Sequence, residues 1–193
     1  FGHWKDTAIM LKGDAVQSFT MMFLQMWNLW ERRPEDYKKY LTVKKSGFRR
    51  ETGYMIPYGD SPFDHENVGE EVYFHILNHA KKYVHIMTPY LILDSEMITA
   101  LTRAAKCGIE VIIIMPGIPD KPYAFYLAKT YYAELLEKGV QIYEYTPGFV
   151  HAKGCVVDDM VGTIGTVNLD YRSLFLHFEN NSLFYRASLL TGL

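Results

Sequence analysis

The sequence has few cysteines and almost no net charge. The first absence argues against a cysteine-based metal site, and the second against a strongly basic protein that binds nucleic acid or anionic membranes through its net charge. Its 193 residues include two cysteines, Cys107 and Cys155. They form no C-x-x-C pair, which argues against a cysteine-based metal site and favours two buried free thiols. The 20 basic and 22 acidic side chains nearly cancel, so no overall field draws the chain onto nucleic acid or an anionic membrane.

Long apolar runs are also missing. The longest, such as Val111–Met115, fall far short of the roughly 20 residues that a membrane-spanning helix requires. Residues 1–6, FGHWKD, show no basic start followed by an apolar stretch, so no signal peptide is predicted. We expect any membrane anchor of the protein to lie outside this chain.

Apolar residues are plentiful, at 49% of the chain, and their pattern indicates an α/β protein. After Gly47, strand patterns alternate with helical ones, whereas the tail from His151 onward holds strands joined by short connections that favour antiparallel hairpins. We therefore predict a mixed, mostly parallel β-sheet sandwiched between helices. Strand 109–115 is expected to be buried on both faces, because it lacks polar alternation. The other predicted elements are strands near 6–13, 48–56, 83–90 and 140–145, and helices near 15–31, 68–81, 95–107 and 123–139.

The first 45 residues hold too little secondary structure to make a domain. They offer one strand and one helix before a polar stretch, Arg32–Tyr40, that is typical of a boundary. We assign residues 1–45 to the tail end of a preceding domain plus a linker. Residues 46–193 are then a second domain that is cut short at its C-terminus, within an amphipathic stretch that starts at Ala187.

Reactive side chains recur at regular offsets in the C-terminal part of the chain. His151 and Lys153 are two residues apart, and so are Thr166 and Asn168. In an extended chain alternate side chains share a face, so each pair is expected on one side while the residue between enters the core. An imidazole can attack phosphorus or move a proton, and the other groups can donate to phosphate oxygens. The set predicts a metal-free phosphodiester site, with Glu179 placed to fix the tautomer of His151.

A known family shows the same spacing. The chain resembles the HKD signature of the phospholipase D superfamily through the pattern His151-x-Lys153-x4-Asp158-x6-Gly165-Thr166-x-Asn168. The surrounding stretches YYAELLEKGVQIYEYTPGFVHAK and GTVNLDYRSLFLHFENN are similar to the second HKD domain of bacterial cardiolipin synthases, and residues 1–27 resemble the last strand and helix of the first. The motif is specific, because it defines the residue type at many positions with fixed spacing.

The resemblance implies a ping-pong transfer with no metal or other cofactor. One motif histidine would attack a phosphodiester to form a phosphohistidine, while the histidine of the other motif protonates the leaving alcohol and then activates the acceptor. Donor and acceptor would both be phosphatidylglycerol, giving cardiolipin and glycerol. The protein would then act at a bacterial cell membrane, anchored by segments outside this chain, with this domain on the cytoplasmic side.

The same resemblance implies a role for each matched residue. His151 would be the acid/base member of the histidine pair, with Lys153 and Asp158 completing the catalytic motif. Asp158 is expected to organise the strand and loop more than to touch substrate. The residues that would hold phosphate are Lys153, Thr166 and Asn168. The residues that would support the site are Glu179, Arg172 and Ser173.

The chain carries one motif where the family uses two. No second His-x-Lys-x4-Asp pattern occurs, so the upstream HKD domain of the same protein would have to supply the other histidine. Alone, the chain would hold half of an active site. Either two copies dimerise and bring two His151 residues together, or the isolated chain is catalytically silent.

Other functions remain open from the sequence. A superfamily phosphodiesterase could hydrolyse phospholipid or, as a dimer, nucleic acid, although the balanced charge disfavours nucleic acid as a partner. A non-enzymatic chain could bind phosphate or a partner protein.

Three further groups have weaker signals. His75 and His79 share a helix face, but no third metal ligand converges on them, so packing histidines are expected. Tyr90, Tyr123 and Tyr126 lie near the loop after strand 109–115 and could line a lipid path. A basic cluster could meet anionic headgroups at a membrane surface: Lys38, Lys39, Lys44, Lys45, Arg49 and Arg50.

Overall fold

The structure is a computed structural model that describes residues 2–41 and 52–192. Its strands are β1 (His3–Lys5), β2 (Tyr54–Asp60), β3 (Tyr83–Met87), β4 (Leu91–Ile92), β5 (Glu110–Pro116), β6 (Gln141–Tyr145), β7 (Gly148–Val150), β8 (Gly154–Val157), β9 (Val161–Gly165), β10 (Leu169–Asp170) and β11 (Glu179–Tyr185). Its α-helices are α1 (Ala15–Asn28), α2 (Val68–His79), α3 (Ser95–Lys106), α4 (Pro122–Glu137) and α5 (Tyr171–Phe175). Short 3-10 helices cover Tyr37–Lys39 and Ser188–Gly192.

Seven strands form one sheet in the order β2-β11-β9-β8-β3-β5-β6. β3, β5 and β6 run parallel, because α3 and α4 provide the long crossovers that parallel pairing needs. The remaining neighbours pair antiparallel. The predicted α/β fold with a mixed sheet is confirmed, but four of the six strand pairs in this sheet are antiparallel, because β8, β9 and β11 of the tail pair antiparallel with their neighbours, including β3 and β2.

Helices α2, α3 and α4 cover one face of this sheet. Alternation along the strands points Ile86 and Ile113 toward the helices, where they are at most 1% exposed. The main core also contains Tyr73 of α2, Met97 of α3 and Leu135 of α4. This face is the main hydrophobic core.

The opposite face is covered at one end by the N-terminal part of the chain. Ile9 and Leu11 pack against a small cluster formed by Ile164, Phe184 and Leu190. Helix α1 lies beside β2 at the same end: a Cβ added to Gly59 would sit 2.9 Å from the Sδ atom of Met22. The side chain of Met22 therefore packs directly on the backbone of β2 at Gly59.

Most predicted elements are confirmed to within a few residues, and two are corrected. Strand 6–13 is wrong, because the strand covers His3–Lys5, where it pairs in parallel with the distant β7, and residues 6–12 form neither helix nor strand. Strand β5 is not buried on both faces: its burial alternates, and Ile112 and Ile114 are half-buried. The reason is that the described helices cover β5 on one side only.

Some predictions fall partly outside the described residues. The strand expected near 48–56 begins at Tyr54, since residues 52 and 53 form a bend. Residues 48–51 of that prediction lie outside the described part, as do Lys44 and Lys45 of the basic cluster and its Arg49 and Arg50. The helix start expected at Ala187 is a 3-10 helix in its described part. None of the helices within residues 2–41 and 52–192 combines the length and the hydropathy of a membrane span.

Candidate active site

A cavity of about 760 Å³ opens beside the ends of β7, β9 and β10 and the start of β11. The motif residues expected to act on or bind phosphate all line it: His151, Lys153, Thr166 and Asn168. Ala152 and Val167, the residues between the members of each pair, are 0% and 1% exposed. The alternation predicted from the sequence therefore holds, and it brings both pairs into one site.

Strand β1 holds the backbone next to the motif. It pairs in parallel with β7, and the carbonyl oxygen of Lys5 accepts hydrogen bonds from the backbone N–H groups of His151, at 2.7 Å, and Ala152, at 3.2 Å. The ring of Trp4 lies 5.1 Å from the imidazole of His151, centroid to centroid. The histidine is thus positioned by a segment far away in the sequence.

Asp6, which sequence reasoning missed, is the acidic partner of His151. Its Oδ2 atom lies 2.8 Å from Nδ1 of the imidazole, so Nδ1–H donates to the carboxylate and Nε2 is the nitrogen left for a substrate. Burial alone would raise the pKa of Asp6, but hydrogen bonds from His151 and from the N–H of Thr7 hold the pKa below its ordinary value of 3.8. No local pattern could reveal this pair, because it depends on β1 pairing with β7.

Lys153 is half-buried beside the histidine, and its ammonium donates to the backbone carbonyl of His151. Burial lowers the pKa of Lys153 to about 8, although the carboxylates of Asp6 and Glu179 oppose the shift. An ammonium with lost hydration gains more from a bound anion than an exposed one does. The site is thus prepared for a negatively charged group.

Thr166 and Asn168 are held by hydrogen bonds to their neighbours. The Thr166 hydroxyl accepts from the backbone N–H of Asn180 at 3.0 Å and lies 3.3 Å from its carbonyl oxygen. The Asn168 amide donates to the hydroxyl of Ser173 at 3.0 Å, and the N–H of Ser173 donates to Asp170 at 2.8 Å. Asn168 Oδ1 is buried without a hydrogen-bond partner among the described residues. Ser173 therefore contacts Asn168 directly, and its supporting role in the site stays a prediction.

Glu179 lines the cavity but bonds His177, not His151 as predicted. Its Oε1 atom lies 3.3 Å from Nδ1 of His177, and the Arg172 guanidinium lies 3.1 Å from Nε2 of the same ring. Because a guanidinium can only donate, this geometry places the ring proton of His177 on Nδ1. The correction has a simple cause: Asp6, delivered by β1, already occupies Nδ1 of His151.

Asp158, the aspartate of the HKD motif, does not line the cavity. It lies in the turn between β8 and β9, where its carboxylate accepts hydrogen bonds from the backbone N–H groups of Lys81, Lys82 and Tyr83 at 2.7, 2.9 and 2.9 Å. Burial would raise the pKa of Asp158, but these three bonds hold it below 3.8. Asp158 thus ties the β8–β9 turn to the start of β3 outside the cavity lining, and its organising role stays a prediction.

The loop after β5 forms one wall of the cavity. The hydroxyl of Tyr90 donates to Oδ2 of Asp120 at 2.7 Å, and the ammonium of Lys121 lies 5.2 Å from the centre of the Tyr90 ring. Burial, together with the hydrogen bond to Asp120, raises the pKa of Tyr90. Tyr90 and Tyr123 line the cavity, whereas Tyr126 is 69% exposed on α4 and lies outside the lining.

The remaining candidate groups have structural explanations. His79 Nδ1 lies 2.7 Å from the carbonyl oxygen of His75, and the two rings are 4.3 Å apart. Cys155 is buried as expected, but Cys107 is exposed. Within residues 2–41 and 52–192, no group of three or more His, Cys, Asp or Glu side chains could hold a metal ion.

The fold resembles those of several solved structures. Phosphatidylserine synthase from Haemophilus influenzae has a TM-score of 0.59 at 16% identity, covering 91% of this chain and 50% of that one. Nuc, a phospholipase D family member from Salmonella typhimurium, has a TM-score of 0.55 at 16% identity, covering 69% of this chain and 84% of that one. At such identities these likenesses support the fold alone.

Sequence comparison identifies closer relatives. An uncharacterized protein of Streptococcus mutans is 56% identical over 193 residues, which is 100% of this chain and 41% of that protein. The cardiolipin synthase of Alkalihalophilus pseudofirmus is 37% identical over 193 residues, or 100% and 38% of the two chains. Cardiolipin synthase 2 of Bacillus anthracis is 40% identical over 185 residues, or 96% and 36%. The chain thus spans about two fifths of the length of these relatives.

A family model decides the assignment. The model described as "Cardiolipin synthase, PLD-like domain" matches residues 73–191, which include every motif position from His151 to Glu179. The chain therefore belongs to the cardiolipin synthase group of phospholipase D-like domains.

Proposed function

We propose that the whole protein is a phosphatidyltransferase of the cardiolipin synthase type and that this chain carries its second HKD domain. The observation that carries the proposal is the convergence of His151, paired with Asp6 at 2.8 Å, and Lys153 on one cavity. Family membership supports phosphatidylglycerol as the substrate. Residues 1–45 would be the end of the first HKD domain, and the Asp6–His151 contact supports a role for that segment in the site of the second.

The first half of the reaction forms a covalent intermediate. The histidine of the upstream motif attacks the phosphorus of phosphatidylglycerol, and the bond from phosphorus to the glycerol headgroup oxygen breaks. His151 gives that oxygen a proton from Nε2, and glycerol leaves. Lys153 and the amide of Asn168 bind non-bridging oxygens, which stabilises the charge that develops in the transition state.

The second half transfers the phosphatidyl group. A headgroup hydroxyl of a second phosphatidylglycerol loses its proton to Nε2 of His151, and its oxygen attacks the phosphohistidine. The phosphorus–nitrogen bond breaks, the upstream histidine is regenerated and cardiolipin is released. Throughout, Asp6 holds Nδ1–H and stabilises the imidazolium whenever His151 carries two protons.

Partners and location follow from the same proposal. The partners are the upstream HKD domain and the membrane surface that supplies both lipids, on the cytoplasmic side of a bacterial membrane to which other segments anchor the protein. The isolated chain would hold half of the site. It would be silent, or active only as a dimer.

The test uses the full-length protein and two potential substrates. Incubated with phosphatidylglycerol it should form cardiolipin and glycerol, and His151→Ala should abolish both products. The matched control is His75→Ala, because His75 is exposed on α2 outside the cavity. Phosphatidic acid as the main product, or cleavage of single-stranded DNA without any lipid product, would contradict the proposal.

A further inference from the structure

A second cavity of about 820 Å³ lies between α1 and the sheet edge at β2. Helix α1 forms one side, and the end of β2 with the loop after it forms the other. We call this cavity the α1 groove. Most of its walls are apolar, including Phe19, Met22, Met26, Leu29, Phe63 and Phe178.

The α1 groove adjoins the phosphate cavity. Phe178, Glu179 and Asn180 line both spaces, so the two meet at the start of β11. The Asp60 carboxylate in the groove wall is occupied, since it accepts from the backbone N–H groups of Ser61, at 3.1 Å, and Gly69, at 2.7 Å. A molecule with a charged end in the phosphate cavity can therefore extend an apolar part along α1.

The far end of the α1 groove carries exposed aromatic and basic side chains. Trp27, Leu29 and Trp30 are 50%, 54% and 90% exposed there. Four exposed basic residues lie in the segment that follows, Arg32, Arg33, Lys38 and Lys39. They outnumber the acidic Glu31, Glu35 and Asp36 by one, and the Lys39 ammonium lies 3.6 Å from the Glu35 carboxylate. Tryptophan beside lysine and arginine is typical of segments that lie in the headgroup region of a membrane, where the basic groups meet anionic lipids.

We propose that the α1 groove holds an acyl chain of the anionic phospholipid whose phosphate binds at His151 and Lys153. The end of α1, with its basic residues, then lies against the membrane surface from which the chain enters. This inference rests on the proposed function and adds to it the place where the lipid tail binds. An acyl chain matches a mostly apolar groove that runs from beside a phosphate site to a surface with tryptophan and basic residues.

The first experiment detects the acyl chain directly. The full-length protein is mixed with phosphatidylglycerol vesicles containing an analogue with a diazirine on one acyl chain, irradiated and digested. Mass spectrometry should find the label on peptides from Ala15–Asn28 and from the loop around Phe63. Met26→Glu, which places a charge in the α1 groove, should reduce that labelling roughly tenfold, whereas Met21→Glu, on the same helix but outside the groove lining, should not.

The second experiment compares chain lengths. Met26→Glu should lower kcat/KM for phosphatidylglycerol with long acyl chains roughly tenfold, and leave the dihexanoyl lipid nearly unaffected. Labelling confined to other segments, or equal losses on both lipids, would overturn the inference. Labelling of the α1 groove in a protein that makes no lipid product would instead support the acyl site and sink the proposed transferase, so the two failures are distinguishable.

Discussion

The pairing of Asp6 with His151 gives the two imidazole nitrogens different roles: Nδ1 binds the carboxylate, and Nε2 faces the substrate in the proposed reaction. A histidine that first gives and then takes a proton must present the same nitrogen to the substrate in both half-reactions. The hydrogen bond from Nδ1 to the carboxylate, 2.8 Å long, fixes that choice. In the proposed reaction Asp6 is therefore a positioning residue, which acts through His151.

Replacing Asp6 by asparagine tests this role. Asp6→Asn keeps the shape but removes the charge that favours the imidazolium, so we expect kcat for cardiolipin formation to fall about tenfold or more with little change in KM. Asp6→Glu should recover part of the loss. Asp14→Asn is the control, because Asp14 is exposed and its side chain makes no capping hydrogen bond. A rise in KM at constant kcat would assign Asp6 to substrate binding.

Lys153 predicts a pH dependence of anion binding. Because burial lowers the pKa of Lys153 to about 8, the ammonium is protonated below that pH and loses its charge as the pH rises through it. A soluble phosphodiester such as glycerophosphoglycerol keeps a single negative charge over this range, so its inhibition constant should be flat below pH 7 and weaken toward tenfold per pH unit above about 8.

The matched variant for this prediction is Lys153→Arg. A guanidinium stays charged throughout, so the weakening above pH 8 should disappear even if the affinity at pH 7 is lower. Titration of inhibition by the same phosphodiester from pH 6 to pH 10 measures both proteins. The same alkaline weakening in Lys153→Arg would show that another group controls binding.

At the scale of elements, the β8–β9 turn explains how a motif residue can matter without touching substrate. Asp158 lies at φ 54° and binds three successive backbone N–H groups ahead of β3. It thereby fixes the turn to the start of the neighbouring strand and sets the register of β3 against β8. That register aligns the strand that follows Lys153.

Asp158→Ala should therefore affect stability far more than chemistry. Alanine removes all three acceptor contacts and tolerates the positive φ poorly, so we expect the free energy of unfolding to fall by about 2–3 kcal/mol. Asp158→Asn, which keeps one acceptor oxygen and tolerates this backbone conformation, should lose less. Urea denaturation measures both, and kcat of the folded variant should remain near the original. A stable Asp158→Ala protein without activity would contradict this prediction and indicate a direct catalytic role for Asp158.

Patterns within single elements were predictable, and contacts between distant elements were not. The two-residue spacing of His151 with Lys153 places both in the cavity because alternation is a local property of extended chain. Asp6 could not be assigned, since its role depends on β1 pairing with β7 far along the sequence. The same strand pairing explains why the prediction for Glu179 was wrong: Asp6 takes the place beside His151, and the partner of Glu179 is His177. The sequence spacing therefore predicted which motif residues line the cavity, whereas the pairing of distant strands determined which side chains form hydrogen bonds with each other.

At the scale of the whole molecule, the described part of the chain leaves the site open on one side. The side chains of His151 and Asp6 are 41% and 48% exposed, whereas a phosphohistidine must be shielded from water if transfer to a second lipid is to outcompete hydrolysis. The proposed reaction also needs a second histidine. Both requirements point to the upstream domain as the surface that closes over the cavity.

The last prediction is that activity requires two motifs and not this chain alone. Produced separately and shown to be folded by circular dichroism, the chain should form no cardiolipin at concentrations where ultracentrifugation finds it monomeric. Adding the separately produced upstream half should restore cardiolipin formation, and the same half mixed with the His151→Ala chain should not. If the chain alone is active, the rate must rise with the square of its concentration, because two copies would then supply two His151 residues. A rate proportional to the first power, from a monomer, would show that one histidine is enough and would contradict the two-histidine mechanism.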